Sequence, residues 1–131
     1  FVFAGVTTEN QGFLGQRELA LIRLGGLFIL MSRAAVVDFD ALTEAVRNRR
    51  LRVATDVFPE EPLSPDHPIR DLENAVLSAH RAGGMVEAFI EIGDMVLSDL
   101  ELLLRGLPPL SCKVAQPETV SRFRGKPVER S

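Results

Sequence analysis

Residues 27–31, LFILM, form an unbroken apolar run of strand length, and no other feature limits the possible folds of this chain as much. A continuous run of this kind suits a strand covered on both faces, which is the situation inside a parallel sheet. Parallel strands need crossover connections, and the flanking sequence supplies them. Residues 16–24 read as a short helix broken by Gly25-Gly26. Asp38 is the predicted N-cap of a helix running to Arg49, with Phe39, Leu42, Ala45 and Val46 on one face. Arg47, Arg49 and Arg50 then fall where cations complement the helix dipole. Residues 51–55 and 74–79 read as the next two strands, and residues 1–6 (FVFAGV) as an extended segment ahead of them. Between residues 57 and 71 four prolines, Pro59, Pro62, Pro65 and Pro68, require a loop. Alternation in this order gives an α/β fold with a parallel sheet and right-handed crossovers.

Residues 85–105 form the longest expected element. Met85, Phe89, Ile92, Val96, Leu100 and Leu103 recur at helical steps, with Val86, Ile90, Leu97 and Leu104 beside them. Glu87, Glu91, Asp94, Ser98, Glu101 and Arg105 make one narrow polar stripe. So much apolar surface exceeds what one sheet face covers, so a second domain or subunit is expected against it. Gly106 and Pro108-Pro109 stop the helix. From Ser111 onward apolar residues are few, and an extended tail is expected. The chain opens on Phe inside a strand-like segment, from which we expect that residues precede it.

Bulk properties exclude several classes. A hydrophobic fraction of 46% supports a buried core. A net charge of −3 gives no reason to expect nucleic acid or an anionic membrane as partner. Cys112 is the only cysteine, so neither an intrachain disulfide nor a multi-cysteine zinc site can form, and no metal ligand set is assigned. No run approaches the roughly 20 apolar residues of a membrane span, and residues 1–6 lack the basic start of a signal peptide. A reducing, cytoplasmic compartment is the expectation.

Polar residues follow three successive strands: Ser32-Arg33 after the first, Asp56 after the second, His80 after the third. In open parallel sheets ligands bind outside the carboxyl ends of the strands, so these residues are expected to line one crevice. A half-buried arginine at position 33 asks for an anionic partner, either a ligand or a structural ion pair with Asp38 or Asp56. Taken alone, His80 reads first as a structural histidine, and Asp56 and Glu61 are both candidates for orienting it. The arginines between 47 and 52 suit a solvated helix end. His67 sits in a turn, and Cys112 receives no role.

SRAAVVD (Ser32 to Asp38), TDVFPEEPL (Thr55 to Leu63) and LSAHRAGG (Leu77 to Gly84) resemble three signature blocks of the D-isomer-specific 2-hydroxyacid dehydrogenases. Those blocks commonly take the forms SRG-x-x-VD, LDVF-x-x-EP and TPH-x-AG, in this order and at these distances. GFLG (Gly12 to Gly15) and the stretch before Leu27 fit as well. The resemblance covers roughly the first 107 residues. It implies a Rossmann-like parallel sheet with flanking helices, truncated at the N-terminus, plus a long C-terminal exchange helix and an extended tail. It also implies NAD or NADP as cofactor, a small 2-hydroxy or 2-keto acid as substrate, and a homodimer. By the same resemblance, Arg33 binds the substrate carboxylate, His80 is the general acid/base, and Glu61 holds and charges His80. Val6, Thr7, Ser32, Arg33, Asp56, His80 and Gly83 are then expected near the cofactor.

Departures accompany the match. Ala34 stands where glycine is usual, Ser78-Ala79 replaces Thr-Pro before the histidine, and Arg81 replaces an apolar residue after it. The G-x-G-x-x-G loop that sets a pyrophosphate on a helix N-terminus is not in these residues. The expected organisation is therefore residues 1–84 as the second half of a dinucleotide-binding domain, 85–107 as a long helix linking to or packing on a missing domain or subunit, and 108–131 as a tail. The competing expectation is a non-catalytic, enzyme-derived dimerisation or partner-binding module.

Overall fold

The computed structural model describes residues 1–113. The part of the expected tail at 114–131 lies outside the described residues. The chain divides into two compact units, the first formed by Phe1–His80 and the second beginning at Arg81.

In the first unit, α1 (Gln16–Ala20), β1 (Gly26–Leu30), α2 (Phe39–Arg47), β2 (Leu51–Thr55) and β3 (Ala75–Leu77) follow in chain order. The three strands form one parallel sheet in the order β1-β2-β3, with Gly26 opposite Leu51, Leu30 opposite Thr55, and Thr55 opposite Leu77. Asp38 caps α2 as expected, its carboxylate accepting from Ala41 N at 3.0 Å. The α2 stripe of Phe39, Leu42 and Val46 meets Leu30, Leu51, Val53 and Ile69, and most of these are fully buried. Asn74 ties the layers together, its amide donating to Val46 O at 2.8 Å and Leu51 O at 2.7 Å.

Several element bounds differ from the sequence expectation. The first helix stops at Ala20 rather than residue 24. Arg50 reaches back from the end of α2, and its Nη2 donates to the carbonyls of Ala20 and Ile22, which ends the helix there. Gly25 then turns in the left-handed region at φ 72°. The second helix stops at Arg47 because Arg49 is left-handed at φ 54°. Residues 1–6 make a single parallel bridge, Val2 to Leu30, rather than a full strand. The third strand is also shorter than residues 74–79.

Among the described residues the apolar runs are covered on one face rather than on the two expected. In β1 and β2 burial alternates, with Phe28, Leu30, Leu51 and Val53 inside while Leu27 is 50% exposed and Arg52 faces out. On β3, Val76 is 68% exposed. The reason is topological: α2 and the 3-10 turn Pro68–Asp71 pack against the same buried side chains.

The second unit holds α3 (Val86–Leu104), one residue shorter at each end than expected. Its C-terminus is a Schellman closure: Gly106 adopts φ 76°, Gly106 N donates to Leu103 O and Leu107 N to Leu102 O. Asp99 is buried and folds the following segment back, accepting from the backbone N–H groups of Leu110, Ser111 and Cys112 at 2.6 to 3.1 Å. Apolar side chains project all along α3, with Phe89, Ile90, Leu97 and Leu104 each more than half exposed. Among the described residues no helix is long and apolar enough to cross a membrane.

Candidate active site

The carboxyl ends of the three strands gather the polar residues. Ser32 and Arg33 follow β1, Asp56 follows β2, and His80 stands just beyond β3. The sheet continues past its ladder at this edge: Asp56 N donates to Leu30 O at 3.1 Å, Ser78 N to Thr55 O at 3.0 Å, and His80 N to Asp56 O at 2.8 Å. The last of these holds His80 in the left-handed region at φ 53°, where a residue with a Cβ rarely sits.

Glu61 reaches this edge from the proline-rich loop. Its Oε2 lies 2.6 Å from His80 Nδ1, and its Oε1 accepts from Phe58 N at 3.0 Å. Of the two carboxylates that spacing leaves open for orienting His80, Glu61 meets the ring and Asp56 supplies a backbone carbonyl. The Asp56 side chain is 1% exposed, so it belongs to the interior of this edge. Nδ1 being engaged, Nε2 is the ring nitrogen left for proton exchange, and both side chains keep about two-fifths of their surface (43% and 36%) open to solvent.

Partial burial pushes the Glu61 carboxyl up. The hydrogen bond from His80, the Phe58 N–H, and the positive charges of His80 and Arg33 outweigh it and hold the group below its ordinary value. Arg33 is thus electrostatically part of this cluster. Its Nη1 donates to Ser32 O at 2.8 Å, and among the described residues it forms no ion pair. Of the two structural partners left open, neither Asp38 nor Asp56 forms an ion pair with Arg33 among the described residues, and Asp38 Oδ1 accepts from Ala41 N in the α2 cap.

The remaining candidates divide. Val6 is buried, and Thr7 heads a turn closed by Asn10, whose Oδ1 accepts from Thr7 N at 2.8 Å and whose amide donates to Gly5 O at 2.7 Å. Among the described residues Ser32 Oγ is buried without a hydrogen-bond partner, at the β1 end of the site. Gly83 belongs to the second unit and is exposed. Among the described residues no cluster of three or more histidine, cysteine or acidic side chains could hold a metal. Sequence reasoning missed the roles of Phe58 N and of Arg70, which grips the loop through Leu63 O and Ser64 O at 2.7 and 2.8 Å. Backbone contacts of this kind leave no trace in residue type. A separate concavity of about 270 Å³ lies between α1 and α2, lined by Leu19, Ala41, Ala45 and Arg50 among others.

Residues 1–82 match the family described as D-isomer specific 2-hydroxyacid dehydrogenase, NAD binding domain. A glyoxylate reductase of Aeropyrum pernix is 33% identical over 105 residues, 79% of this chain and 31% of that protein. The crystal structure of a phosphoglycerate oxidoreductase from Rhizobium etli is 51% identical, with a TM-score of 0.73 over 85% of this chain and 34% of the other. A D-isomer specific 2-hydroxyacid dehydrogenase from Xanthobacter autotrophicus Py2, solved with NADPH and MES, is 27% identical, with a TM-score of 0.73 over 84% of this chain and 45% of the other. The chain spans between a fifth and a third of the length of the curated relatives it matches, from 19% to 34%.

Proposed function

Because this chain belongs to the D-isomer specific 2-hydroxyacid dehydrogenases, through their NAD binding domain, we propose that it carries the catalytic half-site of an enzyme interconverting a small 2-hydroxy acid and its 2-keto acid. The observation that carries this reading is the His80–Glu61 pair at 2.6 Å beside the Arg33 cation, at the carboxyl edge of a parallel sheet. A keto acid needs a cation for its carboxylate and a proton donor at its carbonyl oxygen, and this edge offers both.

Arg33 binds the substrate carboxylate and polarises the keto oxygen. His80 Nε2 delivers a proton to that oxygen during reduction and takes it back during oxidation. Glu61 fixes the ring through Nδ1 and stabilises the imidazolium. A nicotinamide cofactor, when bound, would supply or accept the hydride. Ser32, whose buried hydroxyl has no partner among the described residues, and Thr7 at its turn, with Val6 and Asp56 buried behind them, are the residues of the first unit that we assign to the cofactor side of the site.

In this reading residues 1–84 are the second half of a dinucleotide-binding domain, 85–107 a linking helix and 108–131 a tail. The exposed apolar side chains of α3 support cover by another domain or by a second copy in a homodimer. The free, exposed Cys112 agrees with a reducing cytoplasm.

Titration of the isotopically labelled chain with NADH and with glyoxylate, followed by amide shifts, tests the assignment. Without a pyrophosphate loop, saturation is expected only in the millimolar range or above, roughly 4 kcal/mol of binding or less. Glyoxylate should perturb Ser32, Arg33 and His80. Perturbations gathered between α1 and α2 instead would overturn the reading.

A further inference from the structure

Glu61 lies in a loop with four prolines between residues 57 and 71, yet its two oxygens sit on two fixed points. Such precision needs a support, and the loop has one on α2. Phe39, the first residue of α2 and 6% exposed, takes the Phe58 ring edge-on at 6.1 Å and 72°. On the same ring it takes His67 at 5.7 Å and 66°. Both geometries are the edge-to-face arrangement that aromatic pairs favour. One buried ring thus clasps both ends of the loop.

The entry to the loop is held as well. Thr55 Oγ1 donates to Val57 O at 2.8 Å and accepts from Val57 N at 3.3 Å, and Val57 is buried. Beyond Val57 the path of the backbone is set by where the Phe58 ring goes, and the Phe58 N–H is the donor to Glu61 Oε1.

We propose that Phe58 is a positioning residue for His80: its ring, docked on Phe39, aims the Phe58 N–H at Glu61, and Glu61 in turn holds the His80 ring by Nδ1. The proposal rests on the reading of Glu61 and His80 given above. It adds that the α2 N-terminus, through two aromatic rings and one backbone hydrogen bond, sets which imidazole nitrogen carries the proton. Among the described residues, the groups facing His80 are the Glu61 carboxylate and the Asp56 carbonyl, with the Arg33 cation acting on Glu61.

Nitrogen-15 shifts of the two histidine rings report their tautomers, and carbon-13 shifts of the Glu61 carboxyl report its titration. Both are read in the whole chain and in Phe58→Ala, Phe58→Tyr and Glu61→Gln. In Phe58→Ala the preference of His80 for Nδ1–H should fall about tenfold, the lower bound for losing a hydrogen bond to a charged group. The Glu61 midpoint should rise, and Phe58→Tyr, which keeps the ring, should restore both. If Phe58→Ala does not fold, Phe58→Leu is read in the same way, because it fills space without an aromatic edge. Unchanged His80 and Glu61 signals in the Phe58 variants, with a shifted His80 tautomer in Glu61→Gln, would overturn the positioning role and leave the pair standing. An unchanged tautomer in Glu61→Gln would remove the pair itself and the proposal with it.

Discussion

His80 Nδ1 and Glu61 Oε2 stand 2.6 Å apart although 19 residues separate them in sequence, and the carboxylate reaches the ring from a different connection of the sheet. The pair has a pH signature. Glu61 is held below its ordinary value of 4.5, where partial burial alone would raise it. A depressed carboxyl contributes stability that is complete above its unfolded pKa and disappears as pH falls through the folded one. Both groups are more than a third exposed, so solvent screening limits the pair to about 0.5 kcal/mol. Urea unfolding of the chain and of Glu61→Gln should therefore differ by about that amount at pH 6 and converge as pH falls below 4.5. A gap that does not narrow at all as pH falls below 4.5 would mean that the carboxylate's charge is irrelevant.

Asp99 supports the second unit in a comparable way. The N–H of Cys112 is the largest influence on its carboxyl, the Leu110 and Ser111 N–H groups add to it against partial burial, and the result is a pKa of about 2. With the folded value depressed, the anchor is intact above 3.8 and fails only as pH drops through about 2. Asp99→Ala should expose the Leu110, Ser111 and Cys112 amides to rapid hydrogen exchange at pH 6 while the middle of α3 stays protected. The Cys112 thiol is pushed up by its hydrogen bond to Asp99, with partial burial and the Asp99 charge adding to the effect. Alkylation of Cys112 at pH 8 should accordingly speed up in Asp99→Ala.

Asp38 shows which parts of the fold were legible in sequence. A capping side chain, an amphipathic stripe and a proline-free helix interior are local signals, and α2 appears where they place it. Asp38→Ala should cost about 1 kcal/mol and Asp38→Asn almost nothing, because asparagine caps as well. Chemical denaturation of both variants checks this, and equal losses would show that the charge, not the cap, matters. Where the expectation failed, the cause was a distant partner. The length of α1 is decided by Arg50, 30 residues from Ala20. The one-sided cover of LFILM is decided by where α2 packs. The site shows the same division: Ser32, Arg33, Asp56 and His80 follow from strand ends alone, whereas spacing left Glu61 and Asp56 both open for the ring, only the family resemblance chose Glu61, and the path of the proline loop brings it there.

Arg33 provides the sharpest test of the chemistry. It is exposed, its Nη1 rests on Ser32 O, and its charge contributes to holding Glu61 low. A guanidinium in this position can offer a planar fork to a carboxylate, which an ammonium cannot. In a polypeptide joining this segment to a G-x-G-x-x-G loop, Arg33→Gln should lower kcat/KM for a 2-keto acid by roughly ten- to a hundredfold, the worth of a charge-assisted hydrogen bond. Arg33→Lys should recover only part of that loss, since it restores the charge without the fork. In the 131-residue chain, Arg33→Gln should also raise the Glu61 midpoint, because one of the cations lowering it is gone. The two readouts separate the possible roles of the residue. A raised Glu61 midpoint with unchanged kcat/KM would make Arg33 an electrostatic neighbour of the pair and not the substrate's anchor. A fall in kcat/KM of the expected size, recovered in part by lysine, assigns it to the substrate carboxylate.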